Sequence, residues 1–362
     1  MLHLAGKPLP VVGRARMYVC GITPYETTHL GHAATFVWAD VAARVLRHLG
    51  VEVEGCRNVT DVDDVLDAAA ARAGARSDSF AAVQQFRFDR DMTALGVRRP
   101  AHEPRAHNHV GQVVTLAAAL LEVGAAYLHE GSVWFRAAGV PARAGLDDAA
   151  AAALAAEFGQ GVGVEHPADV AVWRPAVAGE AAWPSPWGDG RPGWHAECTA
   201  MALTTLGSAL DLHVGGADLR FPHHAYTAAM AEALTGVRPF ARAWMHVGTV
   251  GHRGAKMAKS TNNLVLVSEV LADCPAAALR LLLLDRPWSA AWEYDPAAPA
   301  AATARLERLY AAAARGVGEQ GPAPAAVTAA LLDDLDVPTA LDVAEEAGGP
   351  AARLVLSVLN LT

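Results

Sequence analysis

Lysine is almost missing from this 362-residue chain. Of 29 basic side chains, only Lys7, Lys256 and Lys259 are lysines. The excess of arginine and alanine reads as compositional background, and alanine inflates the 52% apolar content relative to the core volume it supplies. No run of about 18 apolar residues occurs, which excludes a transmembrane helix from the sequence pattern. The first residues, Met1 to Lys7, lack the long apolar stretch of a secretory leader, so the expected location is the cytoplasm. Positive charge is also in deficit. A net charge of −9 argues against a protein whose main task is to grip nucleic acid, where phosphate neutralisation dominates. The four cysteines, Cys20, Cys56, Cys198 and Cys274, are too few and too dispersed for a disulfide framework, leaving thiols or metal ligands.

What remains is organised. Met17-Tyr18-Val19-Cys20 reads as a buried strand. Thr27 and Thr28 are good N-caps for a helix over 31–49 that Gly50 ends. Residues 51–59 alternate as a second strand. A strand–helix–strand order of this kind gives a right-handed crossover and a parallel sheet. Helical patterns over 79–95 and 108–123 precede a hairpin turning at Glu130-Gly131. An alanine-rich stretch at 148–156 reads as a surface helix. Glycines and prolines at 184–193 read as a loop returning the chain to its main body. Residues 276–285 read as a buried helix, and the last sixty as helices broken near 321–324, 338 and 348–350. The expected divisions are 1–75 and 191–255 as two halves of a Rossmann-like domain, 76–190 as an insertion, 256–300 as a stem region and 301–362 as a helical segment.

Four constellations carry chemistry. His29-Leu30-Gly31-His32 opens a helix, where backbone N–H groups and the helix dipole favour phosphate. Two imidazoles there can donate to phosphate oxygens, and Gly31 leaves room for adenine or ribose. Lys256-Met257-Ala258-Lys259-Ser260 follows Gly248, Gly251 and Gly254, and its compact, mobile ammonium groups suit a loop that closes on a polyphosphate. Cys20, Cys198 and either His223 or His224 supply soft ligands for zinc. Gly215-Gly216-Ala217-Asp218 can bring backbone against a nucleotide, with Asp218 on a ribose hydroxyl or an ammonium. Cys56 and Cys274 read as small buried thiols.

The His and Lys motifs together form the paired HIGH and KMSKS signature of class I aminoacyl-tRNA synthetases. The chain resembles the cysteinyl-tRNA synthetase group through residues 17–36, 58–64, 193–203, 211–224 and 256–265. Within that group it looks most like the ligases that join cysteine to glucosaminyl-inositol in mycothiol biosynthesis. The Gly21-Ile22-Thr23-Pro24-Tyr25 phrase points that way. So does Thr227, which stands where synthetases carry a fourth, carboxylate ligand.

The resemblance implies an α/β Rossmann-like catalytic domain with an insertion and a helical stem. It implies zinc on Cys20, Cys198 and His223, and catalysis by His29, His32, Lys256 and Lys259. ATP, with Mg²⁺, would lie on Thr28, Gly31, Gly215, Gly216, Asp218 and Val250, and cysteine against Thr23, Thr60 and Trp194. The implied partners are L-cysteine, ATP and an amino-sugar acceptor, with no tRNA, no membrane and a monomeric chain. The four arginines of residues 301–362 face eight carboxylates, a net charge of −4 that should repel an RNA backbone. The segment is also too short for a full anticodon-binding domain. Ala258, Val214 and Ala225 depart from the family pattern. They leave room for a paralogue serving another amine, a cysteinyl-tRNA synthetase, or an inactive binding homologue.

Overall fold

Four parallel strands form the centre of the computed structural model, which describes residues 1–25, 27–147, 149–150, 153, 164–258, 261–315 and 322–362. They are β1 (Arg14–Ile22), β2 (Glu52–Val59), β3 (Leu210–Gly216) and β4 (Ala241–Val247), arranged across the sheet as β4-β3-β1-β2. Alternation along β1 divides the molecule. Ala15, Met17 and Val19 enter one core while Tyr18 and Cys20 enter the other.

The first core is built on α1 (Leu30–His48), which crosses over from β1 to β2. Its buried residues Leu30, Ala33, Val37, Val41 and Val45 recur at helical spacing and form one apolar stripe. Gly50, at φ 79°, follows the helix. The N-cap is His29, not one of the threonines: its extended backbone and its Nδ1, which accepts from the Gly31 N–H at 3.1 Å, close the first turn. The opposite face of the sheet is covered by α2 (Trp194–Leu206) and α3 (Ala225–Thr235), together with an antiparallel sheet of strands 126–129, 132–135, 170–175 and 190–192. Its hairpin turns where expected, with both Glu130 and Gly131 at positive φ. Residues 190–192 were expected in a return loop. They form the fourth strand instead, because Trp173 and Arg174 offer an edge that pairs with Pro192 and Arg191. Most of the alanine-rich stretch at 148–156 lies outside the described residues.

Helix 77–94 contributes Phe88 and Met92 to the α1 core. Helix α4 (Ala276–Leu284) and the last four helices, ending in α5 (Gly349–Leu359), fill the rest of it. Pro299, Pro324, Pro338 and Pro350 each sit in the first turn of one of these four, where a missing N–H costs nothing. Arg280 of α4 is fully buried. It donates to Asp40 of α1 at 2.6 Å, to the Leu95 carbonyl at 3.0 Å and to the Leu359 carbonyl at 2.6 Å. Among the described residues, no helix is long and apolar enough to cross a membrane.

Candidate active site

The chain runs from β1 towards β2 on one side of the sheet, while β3 and β4 lie on the other. The carboxyl ends of β1 and β3 therefore flank the point where strand order reverses, the usual place for a ligand crevice in an open α/β sheet. A cavity of about 300 Å³ opens there. It is lined by Cys20, Thr23, His29, Gly31, His32, Thr60, Trp194, Cys198, Gly216, Asp218, His223, Val250 and Lys256, which brings together most of the residues singled out from the sequence.

Sulfur lines its floor. One ligand atom each from Cys20, Cys198 and His223 lie within 4.8 Å of one another, all three residues buried. Cys20 ends β1. Cys198 lies one turn inside α2, which approaches closely because Gly193 lacks a Cβ that would stand 1.9 Å from the Ala171 carbonyl. His223 precedes α3. Burial pushes the Cys20 thiol well up. A hydrogen bond from Cys20, and then the nearby His223, pulls Cys198 well down, so this site favours a thiolate at Cys198. Two sulfurs and an imidazole converging on one buried point suit a soft-accepting dication. Cys20 also meets His213 at 3.4 Å and His224 at 3.2 Å, forming a second overlapping donor set. His213 and His195 were quoted in the sequence motifs without a role. Asn58 was missed too. It accepts from the Gly21 N–H at 2.9 Å and donates to Thr60 at 3.0 Å and to Cys198 at 3.4 Å.

The other end of the cavity gathers His29, His32, Asp218 and Lys256. The His29 and His32 rings lie 3.9 Å apart. Burial, with His32 and Lys256 adding to it, lowers His29 to about 2. Burial likewise lowers His32 to about 4. Both are neutral N–H donors at physiological pH rather than cations. Lys256 lies 2.5 Å from Asp218, so a side chain expected on phosphate and one expected on ribose hold each other. Lys259 lies outside the described residues. Asn263, also missed, fastens the lysine loop. Its amide donates to the carbonyls of His252, Ala255 and Lys256, and its oxygen accepts from the Ala258 N–H and the Thr261 hydroxyl.

Two of the residues expected on the nucleotide, Gly215 and Thr28, stand outside the cavity lining. Gly31 lines the cavity, and a Cβ there would meet the His29 ring at 2.8 Å. Gly215 accommodates His224 in the same way, at 2.5 Å, and does not line the cavity. Thr28 is buried outside the cavity lining, its carbonyl accepting from the Val267 N–H. Val250 lines the cavity, and its carbonyl accepts from the Met257 N–H.

Known proteins resemble this chain in sequence and in fold. The chain is 44% identical over 307 residues to a cysteine–tRNA ligase of Alkalilimnicola ehrlichii, covering 83% of this chain and 65% of that one. It is 45% identical over 319 residues to the L-cysteine:1D-myo-inositol 2-amino-2-deoxy-alpha-D-glucopyranoside ligase of Parafrankia sp., covering 86% and 72%. In structure it resembles a Mycobacterium tuberculosis methionyl-tRNA synthetase solved with methionyl-adenylate. The TM-score is 0.65 over 97% of this chain and 82% of that one, at 17% identity, a likeness of fold. The profile of the class I (C) tRNA synthetase catalytic domain matches residues 10–303. The chain therefore belongs to the class I (C) tRNA synthetase catalytic-domain family.

Proposed function

We propose that this protein uses ATP to activate L-cysteine as cysteinyl-adenylate and transfers it to the amino group of glucosaminyl-inositol or a closely similar small amine. The observation that carries the reading is that one cavity has a sulfur-lined floor at Cys20, Cys198 and His223 and an anion end at His29, His32 and Lys256.

Zinc held by Cys20, Cys198 and His223 would supply an open position for the substrate thiolate and so select cysteine over serine. Trp194, stacked on His223 with centroids 4.2 Å apart, walls that position together with Thr60. The substrate carboxylate attacks the α-phosphorus. A C–O–P bond forms, the α–β bridging bond breaks and pyrophosphate leaves. His29 and His32 donate N–H groups to the phosphates. Lys256 leaves Asp218 to follow the charge, which frees Asp218 for a ribose hydroxyl. Positioning and preorganised donors suffice for such a transfer. The neutral acceptor amine then attacks the carbonyl, an amide forms and AMP departs with the electron pair of the broken C–O bond.

The small-amine acceptor is supported by Thr227, buried four residues after His223 in place of a carboxylate. It is also supported by the tail. Arg305 binds Asp285, Asp342 and Glu345; Arg308 binds Glu345; Arg315 and Arg353 donate to main-chain carbonyls. Arginines so engaged are poor phosphate contacts. The 44% identity to a cysteine–tRNA ligase favours a second reading, in which the same adenylate goes to tRNA. The test is cysteine-dependent ATP–pyrophosphate exchange, followed by competition of labelled cysteine between glucosaminyl-inositol and total tRNA. Exchange with label in the small thiol is expected. Label confined to acid-precipitable RNA would establish the second reading, and no exchange would refute both.

A further inference from the structure

Two overlapping donor sets share Cys20, and the hydrogen bonds behind them differ. A metal-bound imidazole uses one ring nitrogen for the ion and must donate its other N–H to a partner that fixes the ring. His223 has such a partner. Its Nδ1 lies 2.9 Å from Nδ1 of His195, leaving Nε2 for the metal. His195 is buried and held by a stack on Tyr226, with centroids 5.1 Å apart. Tyr226 in turn donates its hydroxyl to the Ala168 carbonyl at 2.8 Å. His213 has none: among the described residues its buried Nδ1 meets no hydrogen-bond partner. A His213 bound through Nε2 would strand a proton on that nitrogen.

Resting on the zinc reading above, we propose that His195 is the positioning residue of the metal site. It accepts the His223 Nδ1 proton, while His213 and His224 act as N–H donors to the Cys20 sulfur and are not ligands. The site then has one metal, two thiolates and one imidazole nitrogen, and each ligand has its own partner. Cys20 is served by His213 and His224, Cys198 by Asn58 at 3.4 Å, and His223 by His195. N–H···S bonds draw charge from the thiolates, which leaves the metal more able to take a third thiolate from the substrate.

The experiment measures zinc affinity by competition with a chromophoric chelator, and the sulfur-to-cobalt charge-transfer intensity of the Co²⁺-substituted protein. His195→Phe keeps a ring against Tyr226 but has no acceptor. It should lose affinity by about 10–100-fold and raise KM for cysteine, with KM for ATP unchanged. His195→Asn, which returns an oxygen near the Nδ1 position, should recover most of the loss. His213→Gln keeps an N–H donor but no imidazole, and should still hold one metal with the charge-transfer intensity of two thiolates. Full affinity in His195→Phe, or no recovery in His195→Asn, would overturn the role of His195. Loss of metal in His213→Gln, with a one-thiolate intensity in the parent protein, would assign the ion to the other donor set. A parent protein that binds no zinc would refute the zinc reading itself.

Discussion

At the scale of single residues, the anion end of the cavity is held ready by charges that neutralise each other. Lys256 and Asp218 are both half exposed, so their ion pair adds little stability and exchanges readily for phosphate and ribose. Lys256→Ala should slow cysteinyl-adenylate formation by about 10²–10³-fold in pre-steady-state assays while cysteine affinity stays the same. An unchanged rate would remove Lys256 from the chemistry. His32 makes a second case. Unfolded, it takes up a proton below 6.5; folded, it resists until about 4. The unfolded state therefore binds more protons across that interval. The contribution of His32 is complete above pH 6.5 and is lost as pH falls towards 4, at up to about 1.4 kcal/mol per pH unit. Urea midpoints and imidazole NMR resonances between pH 4 and 8 would show both effects. Cys20, Cys198, His223, His29 and Lys256 were legible in the sequence because few side chains can do metal or phosphate chemistry. Asn58, His195 and Asn263 were not, because an amide or imidazole acquires such a role only through the partners folding brings to it, 140 residues away for Asn58, 28 for His195 and round a single loop for Asn263. Gly31 and Gly215 were read for room, and an imidazole lies against each of them. Glycine signals vacant space, but the sequence does not say that a neighbouring imidazole fills it.

At the scale of elements, two close approaches set the geometry. Gly21 lets β1 lie against β2 where a Cβ would stand 1.6 Å from the Asn58 carbonyl. Gly21→Ala must part the strands and with them Cys20 and Asn58. A loss of about 3 kcal/mol or more in denaturant unfolding is expected. Asn263 does for the lysine loop what a cap does for a helix. Asn263→Ala leaves three carbonyls without their donor and should speed hydrogen exchange over residues 252–263. It should also weaken ATP use, with the midpoint of global unfolding almost unmoved. The parallel strand–helix–strand start and the hairpin were readable, since periods of 2 and 3.6 and a positive-φ turn are local signals. The strand at 190–192 was not, because its glycines and prolines signal a loop until an edge such as Trp173-Arg174 is present to pair with them.

At the scale of the molecule, a single sheet separates two cores. The cysteines, histidines and Lys256 of the cavity gather where the strands between those cores end. The carboxyl-terminal helices were legible as helices from their apolar spacing. Their docking onto α1 was not, since amphipathicity names a buried face without naming what covers it. Arg280 makes that docking specific. Arg280→Met should cost about 3–5 kcal/mol by leaving the buried Asp40 carboxylate to Arg44 and the Arg98 N–H, and chemical denaturation should show the loss in both cores if they unfold together. The same guanidinium has a consequence for vectorial synthesis. Its last acceptor, the Leu359 carbonyl, is made 79 residues after Arg280 itself. At roughly 5–20 residues per second the ribosome takes about 4–16 s to supply it. Through that interval the guanidinium lacks one of its three buried acceptors, although Asp40, Leu95 and all four cysteines are already made, so the packing around α4 is completed only when α5 arrives.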